Sequence, residues 1–113
     1  MMASSKEYLD FILEQLSRLD GITHRSMMGE YILYYQGRII GGIYDDRLLF
    51  KPVPAARALM PSARHELPYE GGKEMLLADE VDDKAFLEKV VRAMYAELPA
   101  PRNKAARKAV KEE

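Results

Sequence analysis

Residues 26–52, SMMGEYILYYQGRIIGGIYDDRLLFKP, decide the fold of this chain, because they contain three β-rich runs joined by two short turns. The runs are EYILYY, RIIGGIY and RLLFK, and they are separated by Gln36-Gly37 and Asp45-Asp46. Two-residue connections of this kind join antiparallel strands in tight hairpins. The stretch therefore predicts a three-stranded antiparallel meander, with a short lead-in strand around residues 23–27.

The two turns also predict which side chains share a face of the sheet, because a shift of one residue would move every side chain to the other face. Tyr35 should lie opposite Arg38, and Tyr44 opposite Arg47. One face is then nearly all apolar, and we expect it beneath the helices. This predicted core face comprises Ile32, Tyr34, Ile39, Gly41, Ile43, Leu48 and Phe50.

The opposite face mixes tyrosine, arginine and aliphatic side chains, a composition that is enriched at protein interfaces. We therefore predict a candidate interaction face made of Tyr31, Leu33, Tyr35, Arg38, Ile40, Tyr44, Arg47 and Leu49. Two structural interpretations stay open: the basic stems could lie over tyrosine rings on an exposed sheet, or the rest of the chain could cover this face. If the face is exposed, we expect it to bind another protein or a second copy of the chain.

The adjacent glycines of the second run suggest close approaches of the backbone. Gly41 would allow a helix to come close to the predicted core face, and Gly42 would do the same on the other face or mark a bulge. Gly71-Gly72 leads into a predicted strand and is interpreted as a turn, because a phosphate-binding loop leads into a helix.

Helices flank the meander. Apolar residues at helical spacing predict a first helix over SSKEYLDFILEQLSRLDG, with Ser4 and Glu7 as its capping box. PAARALM predicts a short helix, and two strands are expected around residues 66–69 and 74–79. Asp82 is the expected cap of a long helix, whose apolar stripe consists of Phe86, Leu87, Val90, Val91, Met94 and Leu98.

The order of these elements predicts an α+β fold of two layers, with an antiparallel sheet of about five strands and helices on one face. We expect a single domain over residues 1–101 and a basic tail, without regular structure, over residues 102–113. The chain of 113 residues contains no cysteine, which excludes disulfides and thiolate sites. No signal peptide and no membrane-length apolar run is present, so we expect a cytoplasmic protein.

Charge is distributed unevenly along the chain. Residues 1–101 carry 12 basic and 16 acidic residues, whereas residues 102–113 carry 5 basic and 2 acidic residues. The acidic body argues against a nucleic-acid groove in the domain. The basic residues of the tail, Arg102, Lys104, Arg107, Lys108 and Lys111, form a candidate electrostatic site, for which we expect at most weak and nonspecific binding of nucleic acid.

Catalytic and metal-binding patterns are not evident. His24 and His65 have no partner at metal-binding spacing, and Ser26 lies in no nucleophile-elbow pattern. By position, the Asp pairs at residues 45–46 and 82–83 are a turn and a helix cap. We therefore expect no catalytic residue, no metal, no cofactor and no enzymatic activity.

Several motifs together resemble the TfoX N-terminal domain family, which is named after a bacterial regulator of competence genes. The resemblance covers residues from about 5 to 101. Its motifs are a Met and Gly before a Y-x-L-Y strand, a glycine turn, then D-R-L-x-x-K and finally Y-E-G-x-K-x-M. Here these positions are Met27, Gly29, Tyr31, Leu33, Tyr34, Gly37, Asp46, Arg47, Leu48, Lys51, Tyr69, Glu70, Gly71, Lys73 and Met75.

The resemblance implies an α+β fold like that of small secretion chaperones, a fold that often dimerises. The commoner form of the family has Phe, Gly and Gly where this chain has Met28, Glu30 and Ile32, so the chain resembles a distinct branch. Larger members carry a C-terminal helical domain, which we do not expect here. The family has no established catalytic residues to transfer.

Three hypotheses about function follow. The first is a non-enzymatic interaction module, linked by the resemblance to transcription or competence regulation, with another protein as its partner. The second is a small-ligand-binding protein or enzyme that uses the tyrosine and arginine face. The third is a weak nucleic-acid binder that uses the basic tail.

Overall fold

The computed structural model of the chain describes residues 5–98, and these form a six-stranded antiparallel sheet with three α-helices. The elements are α1 (Lys6–Gln15), β1 (Ile22–Met27), β2 (Glu30–Tyr35), β3 (Arg38–Ile43), β4 (Leu48–Phe50), α2 (Pro54–Leu59), β5 (His65–Glu66), β6 (Met75–Leu77) and α3 (Lys84–Met94), followed by a 3-10 turn (Tyr95–Glu97). The strand order is β1-β2-β3-β4-β6-β5. The predicted α+β class, the antiparallel meander and the order of the elements are confirmed.

Three tight turns build the meander. The central residues of each turn have positive φ: 53° and 86° at Met28-Gly29, 51° and 84° at Gln36-Gly37, and 55° and 55° at Asp45-Asp46. Positive φ at both positions suits the right-handed twist of the strands that the turn joins. The two turns that the sequence predicts are therefore present, with Tyr35 opposite Arg38 and with Tyr44 and Arg47 exchanging both backbone hydrogen bonds.

The predicted core face is nevertheless wrong for β2 and for the start of β3. Tyr34 lies opposite Ile39, but the next residue along β2, Leu33, lies opposite Gly41, so the register shifts and Ile40 is an extra residue. Such a β-bulge moves the side chains on one side of it to the other face. Leu33, Tyr35 and Ile40 are therefore buried in the core.

After the bulge the prediction is correct again. Ile43, Leu48 and Phe50 have no exposed surface and belong to the same core cluster as Leu33 and Ile40. Before the bulge, Ile32 and Tyr34 lie outside that cluster and are half-buried, while Ile39 is 37% exposed. Two sets of residues therefore share the face beneath the helices. Up to the bulge they come from the predicted interaction face (Leu33, Tyr35, Ile40), and after it they come from the predicted core face (Ile43, Leu48, Phe50).

Gly41 is required by this bulge rather than by a helix, which corrects the sequence interpretation. A Cβ at Gly41 would collide with the carbonyl oxygen of Leu49 and with the backbone of Phe50, both in β4. Gly41 also has a φ of 157°, which L-residues with a side chain rarely adopt. Glycine therefore lets β3 and β4 stay paired where the extra residue is accommodated.

The helices cover one face of the sheet. Buried residues of α1 (Leu9, Ile12), α2 (Ala56) and α3 (Leu87, Val90, Val91, Met94) join the sheet residues in one core cluster. The caps lie one residue beyond those predicted, because the side chains of Ser5 and Asp83 accept hydrogen bonds from the backbone N–H groups of Tyr8 and Phe86. The two late strands are shorter than predicted, at two residues for β5 and three for β6.

Candidate interaction surface

We call the sheet face opposite the helices the outer face. Strand pairing places Ile32, Tyr34, Ile39 and Leu49 on it, with Tyr44 following the same alternation just after β3. None of these five residues belongs to the core cluster under the helices. Leu49 and Tyr44 are nonetheless only 0% and 8% exposed, so this face has a covered part and an open part.

Aromatic rings form the covered part. A Cβ at Gly42 would lie 2.7 Å from Cε2 of Tyr44 and 2.5 Å from the carbonyl oxygen of Tyr31, so the Tyr44 ring occupies the space that a side chain at Gly42 would need. The Tyr69 ring meets Tyr44 edge-on, with centroids 6.1 Å apart and ring planes at 63°. Gly42 and Tyr69 together hold the Tyr44 ring against the sheet.

Burial raises the pKa of the Tyr44 hydroxyl above its ordinary value of 10.0, and the proximity of Tyr69, Glu30 and Tyr34 raises it further. Glu30 is 7% exposed, and its Oε1 accepts a hydrogen bond of 3.1 Å from the backbone N–H of Asp45. A carboxylate and three tyrosines therefore lie close together on the outer face, beside the turn that connects β3 and β4. This grouping adds to the effect of burial and raises the pKa of Tyr44 further.

Arg47 ties the segment after β5 to this cluster. Its Nη1 donates to Oε1 of Glu66 at 2.7 Å, its Nη2 donates to the carbonyl oxygen of Pro68 at 3.4 Å, and its Nε donates to the carbonyl oxygen of Tyr44 at 3.0 Å. Arg47 thereby positions the segment that carries Tyr69.

The open part of the outer face is apolar and aromatic. Ile39 is 37% exposed, and Tyr69, whose ring meets Tyr44, is 46% exposed. Ile32 and Tyr34 are half-buried beside Ile39 in the same two strands. This open part offers a contact surface on the side of the sheet opposite the helices.

The predicted interaction face is only partly on this surface. Tyr44, Arg47 and Leu49 are on the outer side, but Leu33, Tyr35 and Ile40 are core residues and Tyr31 packs partly buried against the core. These four side chains therefore cannot form the exposed contact face that the sequence predicted. The bulge at Ile40 is the physical reason.

Arg38 is likewise on the helix side of the sheet. Its Nη1 donates to the carbonyl oxygens of Tyr95 and Leu98 at 3.2 and 3.0 Å, and its guanidinium carbon lies 4.3 Å from the centre of the Tyr95 ring. Tyr35 meets the same ring edge-on at 5.5 Å. Arg38 and Tyr35 thus fasten the end of α3 and its 3-10 turn to the sheet.

Sequence reasoning missed Ile32, Tyr34 and Ile39 as surface residues, and it did not connect Glu30 and Tyr69 with Tyr44. The available signal was the Gly41-Gly42 pair, since an isolated glycine within a strand often marks a bulge. A bulge at this pair puts the side chains that precede it on the face of the sheet opposite to the predicted one. Tyr69 could not be placed from sequence, because it lies in a turn far along the chain.

Other candidate chemistry is sparse in the part of the chain that the structure describes. Over residues 5–98 no group of three or more His, Asp or Glu side chains is arranged to hold a metal ion. His24 packs edge-on against Tyr31, and His65 lies 3.5 Å from the Glu74 carboxylate. No helix within residues 5–98 is long and apolar enough to cross a membrane. The predicted tail residues, 102–113, lie outside the described residues.

Comparison with known proteins identifies the family. The model of the TfoX N-terminal domain matches residues 14–99, most of the chain. The chain belongs to the TfoX N-terminal domain family. The resemblance inferred from the motifs is thereby confirmed, and the match spans β1 to β6 together with α2, α3 and the end of α1.

A relative of the same size is known in Spirochaeta aurantia, where it is described as an uncharacterized 12.7 kDa protein in the trpE 5′ region. It is 32% identical to this TfoX N-terminal domain protein over 107 residues, which cover 94% of this chain and 93% of the relative. No solved structure gives a significant match. The similarity therefore extends over almost the whole of both chains.

Proposed function

We propose that this TfoX N-terminal domain protein is a non-enzymatic interaction module that binds another protein through the open part of its outer face. The observation that supports the proposal most strongly is the exposure of Ile39 and Tyr69 on the side of the sheet that the helices leave uncovered. Apolar and aromatic side chains grouped on a surface are typical of protein contacts.

The charged groups of the outer face favour a contact surface over a catalytic one. The Glu30 carboxylate accepts a hydrogen bond from the Asp45 backbone, and the Arg47 guanidinium is engaged by Glu66 and two carbonyl oxygens. Both charges therefore stabilise local structure. What remains accessible is mainly ring and aliphatic surface, which suits a protein partner.

The biological process we propose is regulation of gene expression related to competence, by analogy with the protein that gives the family its name. The Spirochaeta relative is described as uncharacterized and adds no process. Deletion of the gene in its native host should change the frequency of natural transformation or the expression of competence genes. A deletion strain in which neither changes would remove this process and leave the binding proposal to be tested separately.

The binding proposal is tested by affinity capture from the native cell with the full chain as bait. Ile39→Glu places a charge in the open part of the outer face, and Ala93→Glu places the same charge on an exposed position of α3. We expect a partner that the wild type and Ala93→Glu retain and that Ile39→Glu loses. Retention by all three proteins, with Ile39→Glu folded, would show that the outer face is not the contact surface.

A further inference from the structure

A second surface, independent of the outer face, lies between the ends of α2, β6 and α3. It is an open groove of about 290 Å³. Its apolar lining comes from Leu59, Met60 and Phe86, and its acidic lining from Asp79 and Glu80. The groove therefore combines a small apolar floor with negative charge.

The two carboxylates of the groove are available for a cationic ligand. Asp79 and Glu80 are both exposed, and neither takes part in an ion pair within residues 5–98. The Lys side chain nearest in sequence, Lys84, is paired with Glu14 instead. Asp82, two residues beyond Glu80, is also exposed but is not among the residues that line the groove.

We propose that this groove binds a cationic segment with small apolar residues, and that its occupant is residues 102–113 of the same chain, RNKAARKAVKEE. The first argument is charge. The segment carries five basic residues and two acidic ones, whereas residues 1–101 carry a net charge of −4. The negative electrostatic potential of the acidic body attracts the basic segment, and salt screens this attraction.

The second argument is shape. Ala105, Ala106, Ala109 and Val110 recur at spacings of four residues and would share one side of a helix, with basic residues beside them. Small side chains would let the backbone of the segment approach the apolar floor of the groove closely. Binding would thus place the small apolar side on Leu59, Met60 and Phe86, and the basic side chains on Asp79 and Glu80.

The third argument is reach. The backbone N–H of Ala55 donates to Oε1 of Glu97 at 2.8 Å, so the last described turn lies beside the first turn of α2. The groove begins at the other end of α2, four residues further on, which is only about 6 Å along a helix. Three or four extended residues span about 10–14 Å, so the segment from residue 102 onward can reach the groove.

A spin label tests the proposal on the full chain. The protein has no cysteine, so Ala109→Cys provides a single labelling site. In a ¹⁵N-labelled sample we expect the nitroxide to broaden the backbone amide signals around Leu59, Leu77 and Glu80, with little effect on β1. Salt near 1 M, where the Debye length falls to about 3 Å, should restore those signals.

Charge-neutral variants provide the matched comparison. In the Asp79→Asn/Glu80→Gln background the broadening in the groove should be lost. Glu7→Gln/Asp20→Asn removes the same charge from exposed residues that do not line the groove, and it should leave the broadening unchanged. Equal loss in both backgrounds would overturn the specific groove in favour of a general charge effect.

The same experiment separates binding within one chain from binding between chains. A mixture of spin-labelled ¹⁴N chain with unlabelled ¹⁵N chain should show no broadening in the groove. Broadening of the groove signals in that mixture would contradict the proposal. So would broadening, in the spin-labelled ¹⁵N chain, of amide signals from the outer face instead of the groove. Neither result would affect the proposed role of Ile39.

Discussion

Leu33 lies opposite Gly41, not opposite Ile40, across the β2–β3 pair. With Tyr35 opposite Arg38, an uninterrupted hairpin would bring Leu33 and Ile40 together, so one residue of β3 is extra. This displacement puts Leu33, Tyr35 and Ile40 into the helix-covered core and turns Ile39 outward. The identity of the exposed surface therefore depends on a single bulge.

Gly42 and Tyr44 should be energetically coupled, because the Tyr44 ring occupies the place of a Cβ at Gly42. We expect Gly42→Ala to lower the free energy of unfolding by about 1–3 kcal/mol, as overpacking does. In a Tyr44→Ala background the added methyl group no longer collides with the tyrosine ring. Gly42→Ala should therefore lower the free energy of unfolding by less in that background. Urea unfolding followed by circular dichroism gives the coupling, and strictly additive effects would contradict the described position of the ring.

Arg38 should stabilise the end of α3. Arg38→Met removes donors to the Tyr95 and Leu98 carbonyl oxygens and the contact with the Tyr95 ring, so we expect a loss of about 1–3 kcal/mol. Arg38→Lys keeps the charge but not the planar fork and should recover only part of that loss. Faster hydrogen exchange confined to residues 95–98 would support this role, whereas unchanged exchange in both variants would exclude it.

The stability of the protein should fall at alkaline pH partly because of Tyr44. Its folded-state pKa is raised above 10.0 by burial, so the folded state holds this proton more tightly than the unfolded state does. The contribution is fully present below pH 10.0 and is lost as the pH rises from there through the folded pKa. Tyr44→Phe cannot titrate and should show a shallower decline in unfolding free energy above that pH.

Tyr8 offers the comparison for this pH dependence. Its pKa is also raised, first by burial and then by the Asp46 carboxylate, so Tyr8→Phe should likewise flatten the decline. If the free energy of unfolding declines equally with rising pH in the wild type and in both variants, neither hydroxyl has a different pKa in the folded and unfolded states.

Self-association remains a prediction, and its test changes with the structure. The sequence placed Ile40 on the candidate interaction face, but Ile40 has no exposed surface. If the outer face joins two copies, Ile39→Glu should shift the mass measured by light scattering from dimer to monomer, because burying an unpaired carboxylate is costly. A wild-type protein that is monomeric at high micromolar concentration would leave only a different protein as partner.

Local patterns predicted most of the fold. The turn pairs Gln36-Gly37 and Asp45-Asp46 and the apolar stripe of α3 each depend on neighbours in sequence, and each is present in the structure. Periodicity also placed Ile43, Leu48 and Phe50 in the core. These features are set by chain geometry within a few residues.

The surface could not be predicted in the same way. Alternation assumes that a strand is regular, and the bulge at Ile40 breaks that assumption without changing either turn. The surroundings of Tyr44 depend on Glu30 and Tyr69, which are 14 and 25 positions away along the chain and approach Tyr44 only after folding. Contacts between distant segments therefore decided which residues are exposed.

The bulge is tested most directly by comparing two neighbouring substitutions, Ile39→Glu and Ile40→Glu, in urea unfolding. Ile39 is 37% exposed and Ile40 is fully buried, although the two residues are chemically identical and adjacent. We predict that Ile39→Glu changes the free energy of unfolding by less than about 1 kcal/mol, whereas Ile40→Glu lowers it by at least about 3 kcal/mol or prevents folding. A stable Ile40→Glu together with a strongly destabilised Ile39→Glu would restore the uninterrupted hairpin and contradict the surface described for this protein.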